Sequence, residues 1–523
     1  MNPRSLLIPL LFSLLACHTT DELDIIIYNG SVYDGSLSDP IIADVGIRDD
    51  QIVAISNLSE RKAKKVIDAT GLVVAPGFID MHVHLEPLLR IRDAESLVRQ
   101  GVTTALSGPD GSSPWPLSTY IDSVEQEGIG LNVAYLIGHN TIRKNVMKLA
   151  DRAPTEVELQ QMKGQVAQGM KDGAFGISTG LKYVPGAFSD VDEVVALSKV
   201  ASQHDGIYTS HLREEGLGLI EAVAEAIQIA ERADIPVVLT HHKAIGKSMW
   251  GASTKTLAMV DSARALNLDV MMDQYPYTAS QTGISVLIPS WARSGGQKAF
   301  LDRLENPALR DSIKQGIIYN ILYDRGGEDL HRVQFARVKW QPELDGKTLH
   351  DWAVLREMEP TVKNGAELVI EAQANGGCTA IYHVIDQQDV DRIMQHPQTM
   401  IGSDGRLAEY EVGHPHPRWY GTFPRVLGHY VRERSIISLK EAIHKMTLMP
   451  AERLGLKKRG RIAENVFADI TIFDPETIID QATFKAPHQY PRGIATVIVN
   501  GTIAVENGQF QNRAGKVLKG PAF

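Results

Sequence analysis

Residues 78–84 read Phe-Ile-Asp-Met-His-Val-His, a short apolar run that ends in two histidines, His82 and His84. Side chains two positions apart on a β-strand point to the same face, so both imidazoles could share one metal ion. A His-X-His pair alone is a weak signal, because two ordinary, hydrogen-bonded histidines give the same pattern. Its meaning depends on which residues stand at the ends of the other apolar runs of the chain.

Short apolar runs alternate with amphipathic helical stretches from about residue 76 to residue 454. The apolar runs include Phe175 to Ser178, Ile207 to Ser210, Val237 to Thr240 and Val270 to Asp273, and the helical stretches include Glu156 to Lys171, Val191 to His204 and Leu219 to Ala233. Repeated β-then-α units favour a parallel sheet with helical crossovers, and we expect an α/β fold of the (β/α)₈ barrel type. The alternation of apolar runs and helical stretches is interrupted at about residues 283–344, which predicts an insertion that could act as a lid.

Further polar residues stand at the ends of the apolar runs. Two of these runs lead directly into His211 and His241, and a late run leads into Asp404. In a (β/α)₈ barrel the carboxyl ends of the strands converge on one face, so these side chains are expected to share a pocket. For Asp404 the alternative is an ordinary turn residue before Gly405.

Both chain ends are rich in short β-patterned runs with turn signals between them. Residues 24–75 and 455–523 contain Asn29-Gly30 and Asn500-Gly501 turns between such runs. We expect these two segments to build one small β-domain beside a barrel formed by residues 76–454.

Composition narrows the possible partners. The 523 residues carry 53 Lys and Arg against 63 Asp and Glu, a formal net charge of −10. This balance argues against a surface that tracks phosphates, so no nucleic-acid partner is expected. The two cysteines, Cys17 and Cys378, cannot form a disulfide framework or a thiolate cluster. A metal would therefore be held by His, Asp, Glu or Lys.

The N-terminus predicts export. Arg4 precedes an apolar run, Leu6 to Leu15, that reads as a signal peptide of residues 1–16 and is too short to span a bilayer. The sequence ending in Cys17 resembles the bacterial lipoprotein box, which implies a lipid on Cys17, a tether over residues 17–23 and anchoring in the bacterial cell envelope. A plain cleaved signal peptide with a chance cysteine is the alternative.

The order of His82-X-His84, His211, His241 and Asp404 resembles the metal centre of the amidohydrolase superfamily. That superfamily has a distorted (β/α)₈ TIM barrel beside a β-sandwich built from both chain ends. Five further motifs are similar to the N-acyl-D-amino acid deacylase (D-aminoacylase) family: Ser178 to Gly186, Ser210 to Gly216, Thr240 to Lys243, Tyr275 to Tyr277 and His414 to Arg425. The resemblance runs from about Asp24 to about Asn507.

This resemblance implies a zinc-dependent amide hydrolase that removes the acyl group from N-acyl amino acids, with D configuration expected. It implies two zinc ions, with ligands at His82, His84, His211, His241 and Asp404. Asp404 would also accept a proton from the attacking water and deliver it to the leaving nitrogen. The implied substrate-binding residues are Tyr183, Lys243, Tyr275 and Arg418. Arg418 would hold the substrate α-carboxylate through two parallel hydrogen bonds, and an ordinary surface ion pair is its alternative.

The chain departs from the family pattern at one ligand. Known members place a cysteine ligand after the second strand, but residues 101–110 of this chain contain none. They are also expected to carry an apolar residue where this chain has Lys182. We therefore expect Lys182, carboxylated by carbon dioxide, to bridge the two zinc ions, as in the hydantoinase and dihydroorotase branches. The alternatives are a lysine that extends toward solvent and a bridging anion supplied by Asp110.

Two other functions stay open. Cleavage of a cyclic amide or a dipeptide, as in hydantoinase-like, dihydroorotase-like and isoaspartyl-dipeptidase-like relatives, uses the same six-ligand layout, although the motifs outside the metal ligands weigh against it. A lipoprotein that binds solutes without catalysis is the non-enzymatic alternative. Such a protein should lack a ligand or Asp404, and none is missing.

Overall fold

The computed structural model of the protein describes residues 22–325 and 327–523. The expected signal peptide and Cys17 lie outside these residues. Within the described ranges, no helix combines the length and the apolar character needed to cross a membrane.

The first described segment forms β-strands of the small domain. These strands are β1 (Leu23–Val32), β2 (Ile41–Arg48), β3 (Gln51–Ser56), β4 (Ala63–Asp68) and β5 (Val73–Pro76). β1, β2 and β3 pair in antiparallel fashion, whereas β4 and β5 run parallel to β1. Alternate apolar residues such as Ile25 and Ile27 are buried in a core that residues of the C-terminal segment complete.

The barrel begins directly after β5. Its first seven strands and the intervening helices are β6 (Phe78–Asp80) with its extension β7 (Val83–His84), α1 (Glu95–Val98), β8 (Val102–Ser107), α2 (Leu117–Glu127), β9 (Asn132–Tyr135), β10 (Ile137–Gly138), α3 (His139–Met147), α4 (Glu156–Lys171), β11 (Gly176–Gly180), α5 (Val191–Ser202), β12 (Ile207–His211), α6 (Leu219–Ala233), β13 (Val237–Leu239), α7 (Ser253–Ala265) and β14 (Val270–Gln274). β9 and β10 are two halves of the third barrel strand. Neighbouring barrel strands are parallel, so their carboxyl ends meet at one face.

A long insertion separates β14 from the last barrel strand. It contains β15 (Ser280–Gly283), α8 (Ser290–Arg293), α9 (Gly296–Leu304), α10 (Pro307–Tyr319), β16 (Val333–Arg337), α11 (Leu349–Leu355), α12 (Val362–Ala374) and β17 (Thr379–Tyr382). The three strands form an antiparallel sheet in the order β15-β17-β16. The insertion therefore extends beyond residue 344, where the sequence predicted its end. The reason is that α12 and β17 repeat the helix-then-apolar-run pattern of a barrel unit, yet β17 pairs with β15 and β16.

The chain then completes the barrel and returns to the β-domain. The remaining elements are α13 (Gln387–Gln395), β18 (Thr399–Ile401), β19 (Gly405–Arg406), α14 (Arg418–Arg425), α15 (Leu439–Met446), α16 (Leu448–Arg453), β20 (Ile470–Phe473), β21 (Ile494–Val499), β22 (Thr502–Glu506) and β23 (Gln509–Phe510). β18 is the eighth barrel strand and runs parallel to β14. β20 pairs with β5, which joins both chain ends in one nine-stranded sheet. The predicted fold, a TIM barrel with a β-domain from both ends and an inserted segment, is confirmed.

A buried polar network fixes the β-domain on the barrel. Asp469, just before β20, accepts hydrogen bonds from the backbone N–H of Asn500 at 2.8 Å and from Nδ2 of Asn132 in the third barrel strand at 3.2 Å. The same carboxylate is paired with Arg459. Because these groups are shielded from water, they depend on one another for hydrogen bonding.

Candidate active site

Four histidines lie at the carboxyl ends of barrel strands. His82 and His84 lie at the end of the first strand, His211 ends the fifth and His241 is the second residue after the sixth. Three of them are buried, and the His84 side chain is 22% exposed. The structure thus brings together the histidines that the sequence placed at strand ends.

Two groups of possible metal ligands meet at one carboxylate. The first group is His82, His84, Asp110 and Asp404, and the second is Asp110, His211 and His241. Among the described residues, Asp110 is the member that the two groups share. Asp404 joins the first group from the loop after the eighth strand.

The spacing of these atoms suits ligands around common ions. Asp110 Oδ1 lies 3.3 Å from His82 Nε2, and Asp404 Oδ1 lies 3.5 Å from His84 Nε2. Two atoms bound to one tetrahedral zinc ion at about 2.1 Å are separated by about 3.4 Å. His211 Nδ1 and His241 Nε2 are closer, at 2.7 Å, and are hydrogen-bonded to each other.

Two buried polar atoms of this centre lie close together but make no hydrogen bond to any described residue. His82 Nε2 and Asp110 Oδ1 have no hydrogen-bond partner within the described part of the chain. Leaving a buried polar group unpaired costs about 1–3 kcal/mol, so such groups normally bind something. A divalent cation would satisfy both atoms, and the imidazole and carboxylate donors are those that zinc binds. The residues present therefore fit a metal.

Three of these residues have unusual backbone conformations. The φ angles are 54° at Asp110, 37° at His241 and 45° at Asp404. Residues other than glycine rarely adopt positive φ, and such strain is concentrated at functional sites. The surrounding structure therefore keeps these three residues in place despite the conformational strain of their backbones.

Both carboxylates are negatively charged at neutral pH. Burial alone would raise the pKa of Asp110, but nearby imidazoles, His82 foremost, hold it well below its usual range. Burial would also raise the pKa of Asp404, but the guanidinium of Arg418 holds this pKa below its usual range. The two groups can therefore offer anionic oxygens to cations.

Three further buried carboxylates, outside the two ligand groups, contact ring or backbone nitrogens of the histidines. Glu215 Oε1 lies 3.1 Å from His241 Nδ1. Asp273 Oδ1 accepts the backbone N–H of His241 at 2.7 Å, and Asp80 Oδ1 accepts that of His82 at 3.1 Å. The contact of Glu215 fixes the orientation of the His241 ring, and the two backbone hydrogen bonds fix the main chain that carries His241 and His82.

Lys182 is paired with carboxylates that belong to neither ligand group. Its Nζ donates to both carboxylate oxygens of Glu214, at 2.8 and 2.7 Å, and lies 3.5 Å from Asp324 Oδ2 of the insertion. The structure does not show the N6-carboxylysine expected at Lys182, which stays a prediction, and the carboxylate that the two ligand groups share is that of Asp110.

A cavity of about 790 Å³ adjoins this centre. Its lining includes His84, Asp110, Asn140, Tyr183, Gln281, Thr282, Arg337, Asp404 and Arg418. The insertion contributes Gln281, Thr282 and Arg337, and the Tyr183 hydroxyl lies 3.1 Å from Thr282 Oγ1. The insertion thus forms part of the cavity wall, and its action as a lid stays a prediction.

Arg418 lies where the cavity meets the possible metal ligands. Its Nη1 is 2.9 Å from Asp404 Oδ2, and its Nη2 donates to the Gln281 carbonyl at 3.3 Å. The guanidinium carbon is 4.5 Å from the centre of the Tyr275 ring. Arg418 is 2% exposed, and its Nε has no hydrogen-bond partner among the described residues. It is a buried cation beside a cavity.

The four predicted substrate-binding residues occupy two kinds of position. Tyr183 and Arg418 line the cavity. Tyr275 packs against the Arg418 guanidinium, and Lys243 Nζ contacts the Glu215 carboxylate and His241 Nδ1. Lys243 is thus placed behind a histidine, not toward the cavity as the sequence suggested.

Asp110 and Glu215 contribute more to the site than the sequence predicted. Asp110 had one available signal: an acidic residue at the end of the second strand, where the family pattern has its cysteine. Glu215 lies inside the family-like motif Ser210 to Gly216, but nothing in the sequence distinguishes it there from the neighbouring Glu214.

Known proteins share this architecture. Residues 65–303 and 336–505 match the model of the amidohydrolase family. The chain is 36% identical to the D-aminoacylase of Alcaligenes xylosoxydans xylosoxydans, over 95% of this chain and 98% of that protein.

Two solved structures extend the comparison. The structure of the N-acyl-D-glutamate deacylase of Bordetella bronchiseptica, in complex with zinc and a phosphonate inhibitor that mimics the tetrahedral intermediate, has a TM-score of 0.81 at 32% identity, with 95% of this chain and 100% of that chain covered. A D-aminoacylase structure that addresses the role of a binuclear metal centre has the same TM-score at 35% identity, with 95% and 100% covered. The chain therefore belongs to the amidohydrolase family, and within it to the N-acyl-D-amino acid deacylases.

Proposed function

We propose that the protein is a zinc-dependent amide hydrolase that acts on N-acyl-D-amino acids. Water is consumed, the amide C–N bond breaks, and the products are a carboxylate and a free D-amino acid. Two divalent ions held by the two ligand groups would activate the water and polarise the amide carbonyl.

The observation that carries this proposal is the 2.9 Å contact between Arg418 Nη1 and Asp404 Oδ2. In an N-acyl α-amino acid, one carbon atom separates the carboxylate from the amide nitrogen. A cation that holds the carboxylate must therefore lie beside the group that serves the nitrogen. Arg418 and Asp404 satisfy this requirement, and both line the same cavity.

Arg418 binds the substrate through charge-assisted hydrogen bonds. A guanidinium matches a carboxylate with two parallel N–H donors, and burial strengthens the attraction. The aromatic ring of Tyr275 and the carbonyl of Gln281 keep the guanidinium in place. Cyclic amides of the hydantoin type have no free carboxylate for this cation.

Asp404 moves the proton. Because it is ionised and lies next to both His84 and Arg418, it can accept a proton from the attacking water. It can then deliver that proton to the departing nitrogen. An amine leaves poorly until it is protonated, so this second transfer completes the cleavage.

The relatives support the D configuration. The family members compared above are named for D-amino acids, and this chain shares their fold over nearly its whole length. Handedness depends on how the cavity wall holds the substrate side chain relative to Arg418 and Asp404.

A substrate panel tests the proposal. The zinc-loaded protein would be assayed with an N-acetyl-D-amino acid, a hydantoin, a dihydropyrimidine and an isoaspartyl dipeptide. We expect hydrolysis of the N-acetyl-D-amino acid and loss of that activity when a chelator removes the metal. Turnover of a cyclic amide or the dipeptide, without turnover of the N-acetyl-D-amino acid, contradicts the proposal.

We also propose that Cys17 carries a lipid and anchors the protein in the bacterial cell envelope. The support is the apolar run before Cys17 and the lipoprotein-like sequence Leu14-Leu15-Ala16-Cys17. Replacement Cys17→Ser should abolish labelling by a fatty-acid probe and release the protein from the membrane fraction. Unchanged labelling and fractionation contradict this proposal.

A further inference from the structure

We propose that the Asp110 carboxylate bridges the two metal ions, so that the centre needs neither a cysteine thiolate nor a carboxylated lysine. The inference rests on the proposed function for the presence of two ions. It adds how they are held and which metals the site accepts.

Asp110 belongs equally to both ligand groups. Its Oδ1 lies 3.3 Å from His82 Nε2 and 3.5 Å from His241 Nε2. Its Oδ2 lies 3.6 Å from His84 Nε2 and 3.4 Å from His211 Nδ1. The carboxylate therefore lies within 3.6 Å of both histidines of each group, which is the position that a ligand shared by two ions requires.

The loop that carries Asp110 is built to hold it there. Gly108 and Gly111 flank it with φ angles of 80° and 75°. A Cβ at Gly111 would come within 2.3 Å of Asn140 Oδ1, so a side chain there would collide. Ser178 pins the loop from the fourth strand, since its Oγ donates to the Gly108 carbonyl at 2.6 Å and accepts from the Gly111 N–H at 3.1 Å.

Other candidates for the bridge are engaged elsewhere. Lys182 is paired with Glu214. Glu215 lies on the Nδ1 side of His241, away from the Nε2 atom that faces Asp110. Cys378 is the one cysteine among the described residues; it lies in the insertion, and burial raises the pKa of its thiol to about 12.

An oxygen bridge changes which metals the site favours. Thiolates select zinc over harder ions, whereas carboxylates also suit manganese. The centre should therefore distinguish zinc from manganese less sharply than a thiolate-bridged centre would. It should also assemble without carbon dioxide, because its anion is supplied by the chain itself.

Metal binding without substrate tests the bridge. The apoprotein would be prepared with a chelator and reconstituted with zinc in buffer free of carbon dioxide, for wild type, Asp110→Asn, Asp110→Cys and Lys182→Met. Metal content would be measured by mass spectrometry, and folding of each variant by circular dichroism. We expect two ions per chain in wild type, Asp110→Cys and Lys182→Met, and no more than one in folded Asp110→Asn.

Cobalt provides a second measurement that does not depend on losing metal. Cobalt-loaded Asp110→Cys should show a sulfur-to-cobalt charge-transfer band that cobalt-loaded wild type lacks, and its preference for zinc over manganese should rise several-fold. Absence of this band, or two tightly bound ions in Asp110→Asn, overturns the bridge. Since no substrate is used, an outcome against the bridge is separate from an outcome against the deacylase proposal.

Discussion

Glu215 Oε1 lies 3.1 Å from Nδ1 of His241, so a buried carboxylate stands behind an imidazole whose Nε2 faces Asp110. A carboxylate in this position can accept the Nδ1 proton, so that Nε2, which lies 2.7 Å from His211 Nδ1, carries the lone pair that a metal would bind. Lys243 contacts the same carboxylate and helps to keep it in place. These two side chains therefore fix the orientation of the His241 ring before any metal binds.

Replacement Glu215→Gln should weaken zinc binding. The neutral amide holds the imidazole less firmly, and loss of such an outer partner costs about 10- to 100-fold in metal affinity. Competition with a coloured chelator measures this change. The neighbouring replacement Glu214→Gln is the matched control, because Glu214 contacts Lys182; equal losses in both variants would show that Glu215 has no special role.

Replacement Lys182→Met should preserve catalysis by leaving the metal centre intact. The variant loses the ion pair with Glu214, which is 39% exposed, and the 3.5 Å contact with Asp324, which keeps Arg325 as a partner. The free energy of unfolding should therefore fall by only about 1 kcal/mol. Thermal unfolding and zinc analysis check these two outcomes. Loss of both zinc ions would restore the carboxylated-lysine hypothesis.

The convergence of the four histidines and Asp404 could be predicted from the sequence, because parallel strands of a barrel end at one face. Their role as metal ligands stays a prediction. The bridging position could not be predicted in the same way. Lys182 and Asp110 both come after barrel strands, and the choice between them depends on the ion pair to Glu214 and on the glycine-flanked loop, neither of which has a periodic signal.

The C-terminal end of the insertion could not be predicted from the sequence pattern either. Val362–Ala374 and then Thr379–Tyr382 have the period and polarity of a barrel unit, so the sequence placed these elements in the barrel. In the structure the second of these segments, β17, pairs with β15 of the insertion and not with a barrel strand. Pairing between segments nearly 100 residues apart is set by tertiary contacts, which a local pattern does not report.

Replacement Arg418→Ala should raise KM strongly for N-acyl-D-amino acids. Loss of a buried charge-assisted contact costs about 2–5 kcal/mol, which corresponds to more than about tenfold in affinity. Steady-state kinetics would compare an N-acyl-D-amino acid with the N-acyl amine that lacks the carboxylate. The second substrate should be affected little.

Arg418→Lys is the matched variant, since it keeps a positive charge near Asp404 but loses the two parallel donors. It should recover part of the loss in KM. Equal loss on both substrates in both variants would show that Arg418 maintains the centre and does not bind the carboxylate.

Replacement Asp469→Ala should destabilise the junction between the β-domain and the barrel. It leaves the buried Arg459 without its charged partner, although Asn500 Oδ1 still accepts a hydrogen bond from it, and loss of one member of a buried ion pair costs about 3–5 kcal/mol. Urea unfolding measures the loss in the free energy of unfolding. The control is Asp50→Ala, because the Asp50–Lys516 pair is exposed and its loss should lower the free energy of unfolding by less than about 1 kcal/mol. A similar small effect in both variants would show that the network does not hold the two domains together.

The most direct test of the deacylase proposal is kcat/KM of the zinc-loaded wild-type protein for one N-acetyl amino acid in its D and L forms. Because Arg418 and Asp404 fix the carboxylate and the amide nitrogen, the two enantiomers must place their side chains on different walls of the cavity. We predict that the D form is hydrolysed with a kcat/KM at least about a hundredfold higher. Equal values for the two forms, or hydrolysis of the L form alone, would contradict the proposal.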